Sequence, residues 1–161
     1  MSHFDYNTPG AYFLTFCTHN RKHILSNIVG AIHESPELQL TTCGRIVDAV
    51  MQNIPEHLHV RIDQYVIMPN HVHLIAIVAE DVALQKICDS PLGSRSVISK
   101  LIGYIKMNAS KAIRQHCGDI PVWQRGYYDH TIRNHADYVS LAEYIQTNPL
   151  RWELDKLFAE E

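Results

Sequence analysis

An α+β domain, with an antiparallel sheet covered by helices, is what this sequence predicts, and three observations predict it. Short β-rich stretches recur near the start, middle and end of the chain; amphipathic helical stripes separate them; and two of the stretches are joined by a link only long enough for a hairpin. The length of 161 residues fits one domain, residues 1–161, and a chain of that size buries roughly two thirds of its unfolded surface.

Residues 11–18 (AYFLTFCT) are aromatic and β-branched, a strand long enough to sit centrally, with Asn20, Arg21 and Lys22 beginning a polar exit. Residues 26–40 hold Gly30 and Pro36 between short apolar pieces, as a loop or small irregular hairpin would. Over 44–54, Ile46, Val47, Val50, Met51 and Ile54 fall on one helical stripe, which Pro55 closes. Residues 60–67 and 72–78 are β-rich runs joined by Met68, Pro69 and Asn70, hence a hairpin, and the second run is apolar on both faces. A mobile connection is expected at 80–93, followed by a long helix whose apolar side is Val97, Ile98, Leu101, Ile102, Ile105, Ala109, Ala112 and Ile113. Residues 122–124 and 127–133 read as a short strand pair around Arg125 and Gly126, and 136–147 as a final helix stopped by Pro149. Strand, helix, hairpin, helix, strand, helix is the order of a ferredoxin-like or RRM-like sandwich rather than a doubly wound parallel sheet.

A hydrophobic fraction of 46% and a charged fraction of 19%, without repeats, are those of an ordinary soluble domain. No apolar run approaches the roughly 20 residues that span a bilayer, and residues 1–9 lack the order of a signal peptide, so a cytoplasmic protein without a membrane partner is expected. Cys17, Cys43, Cys88 and Cys117 form no CxxC pair, which sets aside zinc knuckles and redox motifs in favour of reduced, buried thiols. A net charge of −3 argues against coating nucleic acid through bulk charge. The charge is nevertheless polarised: from Ser90 to Gly118 the charged residues are Arg95, Lys100, Lys106, Lys111 and Arg114, while acids gather near the carboxyl end. Such a run is either a solvated helix face or a phosphate track.

The segment Met68-Pro69-Asn70-His71-Val72-His73-Leu74-Ile75 carries the most chemistry. Alternation on a strand sends His71 and His73 to one face and Val72 and Leu74 into the core. Two imidazoles then point at one spot, and imidazole is the commonest protein ligand for divalent metals. Among eleven histidines a chance pair is expected, and His57 with His59 has the same spacing. In the last helix Tyr144 and Asn148 are four residues apart, on one face. Asn148 is a helix C-cap or, through its carboxamide oxygen, a ligand for a hard ion such as Mg2+ or Mn2+.

His71-Val72-His73 in apolar surroundings, with Tyr144 and a carboxamide four residues later, resembles the single-tyrosine HUH transposases. Trp123-Gln124-Arg125-Gly126-Tyr127-Tyr128-Asp129-His130, the ending 144–149 and the opening 12–21 (YFLTFCTHNR) resemble more closely the REP-associated tyrosine transposase branch, so the resemblance covers nearly the whole chain. It implies that His71, His73 and Asn148 bind the metal and that Tyr144 attacks DNA, giving a 5′-phosphotyrosine and a free 3′ hydroxyl. The wider family often carries Gln where this chain has Asn148, one methylene longer. The implied enzyme is a transposase, a metal-dependent single-strand endonuclease and strand transferase on single-stranded or hairpin DNA, and a monomer is expected over a homodimer. Lys100, Lys106, Lys111 and Arg114, with Arg95, are the expected phosphate contacts. Tyr127 and Tyr128 are candidates for base stacking and rank below Tyr144 as nucleophiles; His130 and Arg133 are further candidate DNA contacts, and Trp123 is expected in the core. The competing readings are a ferredoxin-like nucleic-acid-binding module without chemistry and a metal-dependent DNA hydrolase that uses water.

Overall fold

The first strand is apolar on both sides, so it must be covered on both sides, and this organises the fold. The computed structural model describes residues 9–30, 37–80, 96–154 and 157. Strand β1 (Gly10–Cys17) is followed by a short hairpin, β2 (Ser26–Val29) with β3 (Glu37–Leu40), then helix α1 (Thr42–Gln52), strands β4 (Val60–Ile67) and β5 (His71–Val78), helix α2 (Val97–Cys117), strand β6 (Tyr128–Ile132) and helix α3 (His135–Thr147). A 3₁₀ stretch, Asn148–Leu154, continues from α3. The main sheet has the order β4-β5-β1-β6 and every pairing in it is antiparallel. Strands β1 and β4, joined through α1, leave a gap that β5 fills, which is the split βαβ arrangement of the ferredoxin-like class.

One face of this sheet packs on α1 and α2. Tyr12, Leu14 and Phe16 of β1, Val72, Leu74 and Ala76 of β5, Val47 and Met51 of α1, and Ile98, Leu101 and Ile105 of α2 are buried together. Gly44 allows α1 to approach closely, since a Cβ there would come within 1.9 Å of the Leu25 carbonyl oxygen. The other face carries a smaller cluster, Phe13 and Ile75 of the sheet against Ile145 of α3. Each helix begins at a side-chain cap: Thr41 accepts from Gly44 N, Ser96 from Ser99 N and Asn134 from Asp137 N.

The expected α+β architecture is the observed one, with β1 central and the β4-β5 hairpin where the sequence placed it. Residues 122–124 and 127–133 do not pair with each other. Both lie along the free edge of β1, Trp123 bridging Thr18 and Tyr128 opposing Thr15, with Gly126 at φ +80° in the excursion between them. That edge of β1 supplied unpaired backbone groups that a local hairpin would have left unsatisfied. The last α-helix ends at Thr147, as expected, and Pro149 falls in the first turn of the 3₁₀ stretch that follows, where its missing N–H is not needed. The connection expected at 80–93 and Arg95 lie outside the described residues, apart from Glu80. Among the described residues no helix is long and apolar enough to cross a membrane.

Candidate active site

His71 and His73 stand on β5 opposite Cys17 and Thr15 of β1, and Val66 of β4 opposes His73 from the other side. Alternation turns both imidazoles to the face that α3 covers. Their ring centroids are 4.4 Å apart, and the residues are 0% and 3% exposed. Each ring is fixed through Nδ1: that of His73 bonds Thr15 Oγ1 at 2.6 Å, and that of His71 bonds Asn70 Oδ1 at 2.8 Å. Asn70 donates its Nδ2 to the carbonyl of Leu157 at 2.8 Å, which turns its oxygen toward His71. The hydrogen-bond network therefore assigns the proton of His71 to Nδ1 and the lone pair to Nε2. The Nε2 atoms of both histidines and Oδ1 of Asn148 are buried.

Helix α3 brings the second half. The Tyr144 ring lies edge-on to His73 at 5.2 Å and to Phe13 at 6.1 Å, and the residue keeps 37% of its surface exposed. Trp152 lies against His71 at 5.9 Å and His23 at 5.4 Å. Asn148, 1% exposed, lies one helical turn beyond Tyr144, and Trp152 follows it in the 3₁₀ stretch. Two Nδ1-tethered imidazoles and a carboxamide oxygen suit a divalent ion, since a ligating histidine ordinarily has its other nitrogen fixed in this way. Among the described residues no three His, Cys, Asp or Glu side chains converge to hold a metal ion.

The surroundings anchor α3. Asp63, at an irregularity in the β4 register, accepts from the Tyr138 hydroxyl and from Arg61. The Tyr138 hydrogen bond, then Arg61, hold the Asp63 carboxyl below the usual carboxylate range, while the same contact raises the Tyr138 phenol. His130, facing Phe13 across β1, has Nε2 3.1 Å from Asp137 Oδ2, and that contact, with the Arg133 backbone N–H, lowers the Asp137 carboxyl. Tyr128 opposes Thr15, hence lies on the same face as His73, and is 62% exposed.

Other expected site residues lie elsewhere. Lys100, Lys111 and Arg114 are exposed on α2, across the sheet from the histidines, and Arg114 pairs with Asp119 at 2.8 Å. Lys106, whose pKa burial lowers, donates to the carbonyls of Gln124 and Gly126 at 2.8 and 2.5 Å. The Tyr127 hydroxyl meets Ser99 Oγ at 2.9 Å and its ring packs with the α1/α2 core. His57 and His59 fall in and just after a 3₁₀ turn, not on a strand. Thr15, Asn70 and Trp152 were not singled out from sequence; Thr15 was findable, because the β1 alternation already put it on the face opposite Leu14 and Phe16.

Fold and site together define a ferredoxin-like α+β protein with a polar centre on the α3 face of its sheet. Residues 9–148 match the family model described as Transposase IS200 like, and the chain belongs to that family. A Haemophilus influenzae protein without assigned function is 33% identical over 171 residues, covering 99% of this chain and 91% of its own length. A solved REP-associated tyrosine transposase bound to a REP hairpin superposes with a TM-score of 0.62, covering 97% of this chain and 77% of that one at 23% identity, a likeness of fold.

Proposed function

We propose that this transposase cuts and rejoins single-stranded DNA through Tyr144, in a metal-dependent reaction. The observation that carries the reading is the Tyr144 ring against His73, part exposed, on the helix whose end carries the buried Asn148 one turn on. His71 and His73, through Nε2, and Asn148, through Oδ1, would hold a divalent ion such as Mg2+ or Mn2+. Bound there, the ion supplies charge stabilisation to the phosphoryl oxygens and the leaving 3′ oxygen.

The chain's own residues do the rest. A phenol ordinarily ionises at about pH 10, so a cationic surrounding is what makes Tyr144 a competent nucleophile near neutrality. Its phenol gives up its proton to solvent as the oxygen attacks phosphorus; the new O–P bond forms as the P–O3′ bond breaks, and the departing 3′ oxygen takes a proton from solvent, leaving a 5′-phosphotyrosine and a free 3′ hydroxyl. The covalent link keeps the phosphodiester's energy, so a second 3′ hydroxyl reverses the attack and joins a new strand. Thr15 and Asn70 act as positioning residues for the two imidazoles.

Single-stranded or hairpin DNA is the proposed substrate, in line with the REP hairpin bound by the solved relative, and the REP-associated branch remains the best-fitting subgroup, acting as a monomer. Tyr128, His130 and Arg133 are proposed DNA contacts near the α3 face, Lys100, Lys111 and Arg114 more distant ones on α2. The test is incubation with labelled hairpin DNA and Mn2+, followed by denaturing electrophoresis. A covalent adduct that needs the metal and disappears in Tyr144→Phe and His71→Ala is expected. Binding without adduct would instead indicate a binding module, and cleavage that survives Tyr144→Phe would indicate attack by water.

A further inference from the structure

Beyond the end of β1 lies a cleft of about 600 Å³ lined by His19, Asn20, Arg21, Trp123, Gln124 and Arg125. Two guanidinium groups and an imidazole meet there, and the lining includes no carboxylate. Backbone contacts hold its walls: His19 N donates to Val122 O at 2.9 Å and Gln124 N to Cys17 O at 3.0 Å. Lys106 Nζ grips the Gln124 and Gly126 carbonyls from below, which leaves the Gln124 and Arg125 side chains outward and exposed. On the other wall Asn20 and Arg21 adopt φ of 53° and 55°, a left-handed pair that side-chain-bearing residues seldom take up, braced by Thr18 Oγ1 on the Lys22 carbonyl at 2.8 Å. Trp123 gives its indole N–H to Lys106 O at 3.2 Å and sets its ring edge-on to Phe16 at 5.1 Å at the rim of the α1/α2 core, so the part of it left to the cleft is apolar ring surface.

Position matters as much as lining. Cys17 and Thr15 oppose His71 and His73, and the cleft begins just past the end of that strand, where Thr18 bridges Trp123 and His19–Arg21 form a 3₁₀ turn. Trp123 bridges Thr18, the residue after Cys17; at the ~3.4 Å per residue of an extended chain, a nucleotide or a few would bridge cleft and histidines. A chain of net charge −3 whose cationic helix faces away from the histidines gains local positive potential here.

We propose that this cleft seats the single-stranded DNA adjoining the cleaved bond: Arg21 and Arg125 hold its phosphates, Trp123 packs an unstacked base and Gln124 presents an amide to that base's edge. The assignment rests on the strand-transfer reading above and adds to it a subsite outside the histidine centre.

Fluorescence anisotropy of the full-length chain tests it, with Tyr144→Phe as the background so that binding is read without cleavage. Two probes are compared, a labelled DNA hairpin with a single-stranded tail and the same hairpin blunt-ended. Adding Arg21→Asn, which keeps a residue tolerant of positive φ, with Arg125→Gln should weaken the tailed probe roughly ten-fold and lower its salt slope by about 1.4, at ~0.7 per phosphate of single strand. Unchanged affinity for the blunt hairpin then reports an intact fold. Equal weakening on both probes, or none on either, overturns the subsite while the strand-transfer reading stands on its own adduct assay. Failure of the Tyr144→Phe background to bind either probe overturns both.

Discussion

Asn70→Ala separates what the polar centre does from what merely holds the chain together. Asn70 is fully buried; its oxygen accepts from His71 Nδ1 and its nitrogen donates to the Leu157 carbonyl, each at 2.8 Å. Removing the amide strands a buried imidazole N–H, at about 1–3 kcal/mol, and a carbonyl that is only half-buried and can rehydrate, at about 1 kcal/mol. The expected loss is therefore roughly 2–4 kcal/mol, or on the order of 5–15 °C in Tm for a domain of this size. Loss of an outer-shell partner also lowers metal affinity about 10–100-fold. Asn70→Asp divides the two effects, because a carboxylate still accepts from His71 Nδ1 but cannot donate to Leu157. Calorimetric Mn2+ titration and thermal melting, run on both variants, should show affinity lost in Asn70→Ala and restored in Asn70→Asp, with stability lowered in both. Wild-type Mn2+ affinity in Asn70→Ala would refute the positioning role.

Acid should release α3 through Asp63. Its folded pKa is depressed, so its contribution is present above the unfolded carboxylate value of about 3.9 and is lost as pH falls through the folded value; Asp63→Asn should flatten the acid limb of a denaturation-midpoint profile, and an unchanged limb would deny the anchor. Oxidation should tie α1 to α2: Cys43 Sγ and Cys117 Sγ are 3.5 Å apart. Burial first, then the Cys117 contact, pushes the Cys43 thiol up to about 11, so the exposed Cys117 is the group that first attacks diamide. Both thiols then lose a proton and an electron to the reagent, and mass spectrometry should find a Cys43–Cys117 disulfide that Cys117→Ser abolishes.

Much of this was legible because strand alternation is a two-state code. Once 72–78 is a buried strand, Val72 and Leu74 in one core require His71 and His73 on the opposite face, and the structure has them there. The β4-β5 hairpin followed from a three-residue link, and the close Tyr144–Asn148 spacing from helical pitch. What periodicity cannot encode is which layer an element joins. The α2 stripe correctly named Ile98, Leu101 and Ile105 as core, yet nothing in it said that the helix covers the face away from the histidines, so the expected phosphate track lies across the sheet from them. The same gap hid Asn70 and Trp152, whose significance depends on partners 87 residues on and 81 residues back, Leu157 and His71. The misread 122–133 pair shows the complementary failure: local hairpin signals were real, but an open edge of β1 offered the backbone more than a local turn could.

The two halves of the polar centre are docked through unequal packing, and that inequality suits the proposed reaction. His71 and His73 ride on a strand hydrogen-bonded on both sides and backed by the large α1/α2 core. Tyr144 and Asn148 ride on α3 and its extension, docked through the small cluster of Phe13, Ile75 and Ile145 and through Tyr138 on Asp63. The proposed strand transfer must release one DNA end and admit another without losing the covalently held one, so its nucleophile needs freedom that the two strand-borne histidines do not. The tyrosine's place on the helix docked through the smaller cluster fits that requirement. If Asn148 ligates the same ion as the histidines, as proposed, metal binding and helix docking must be thermodynamically coupled, each strengthening the other by the same factor.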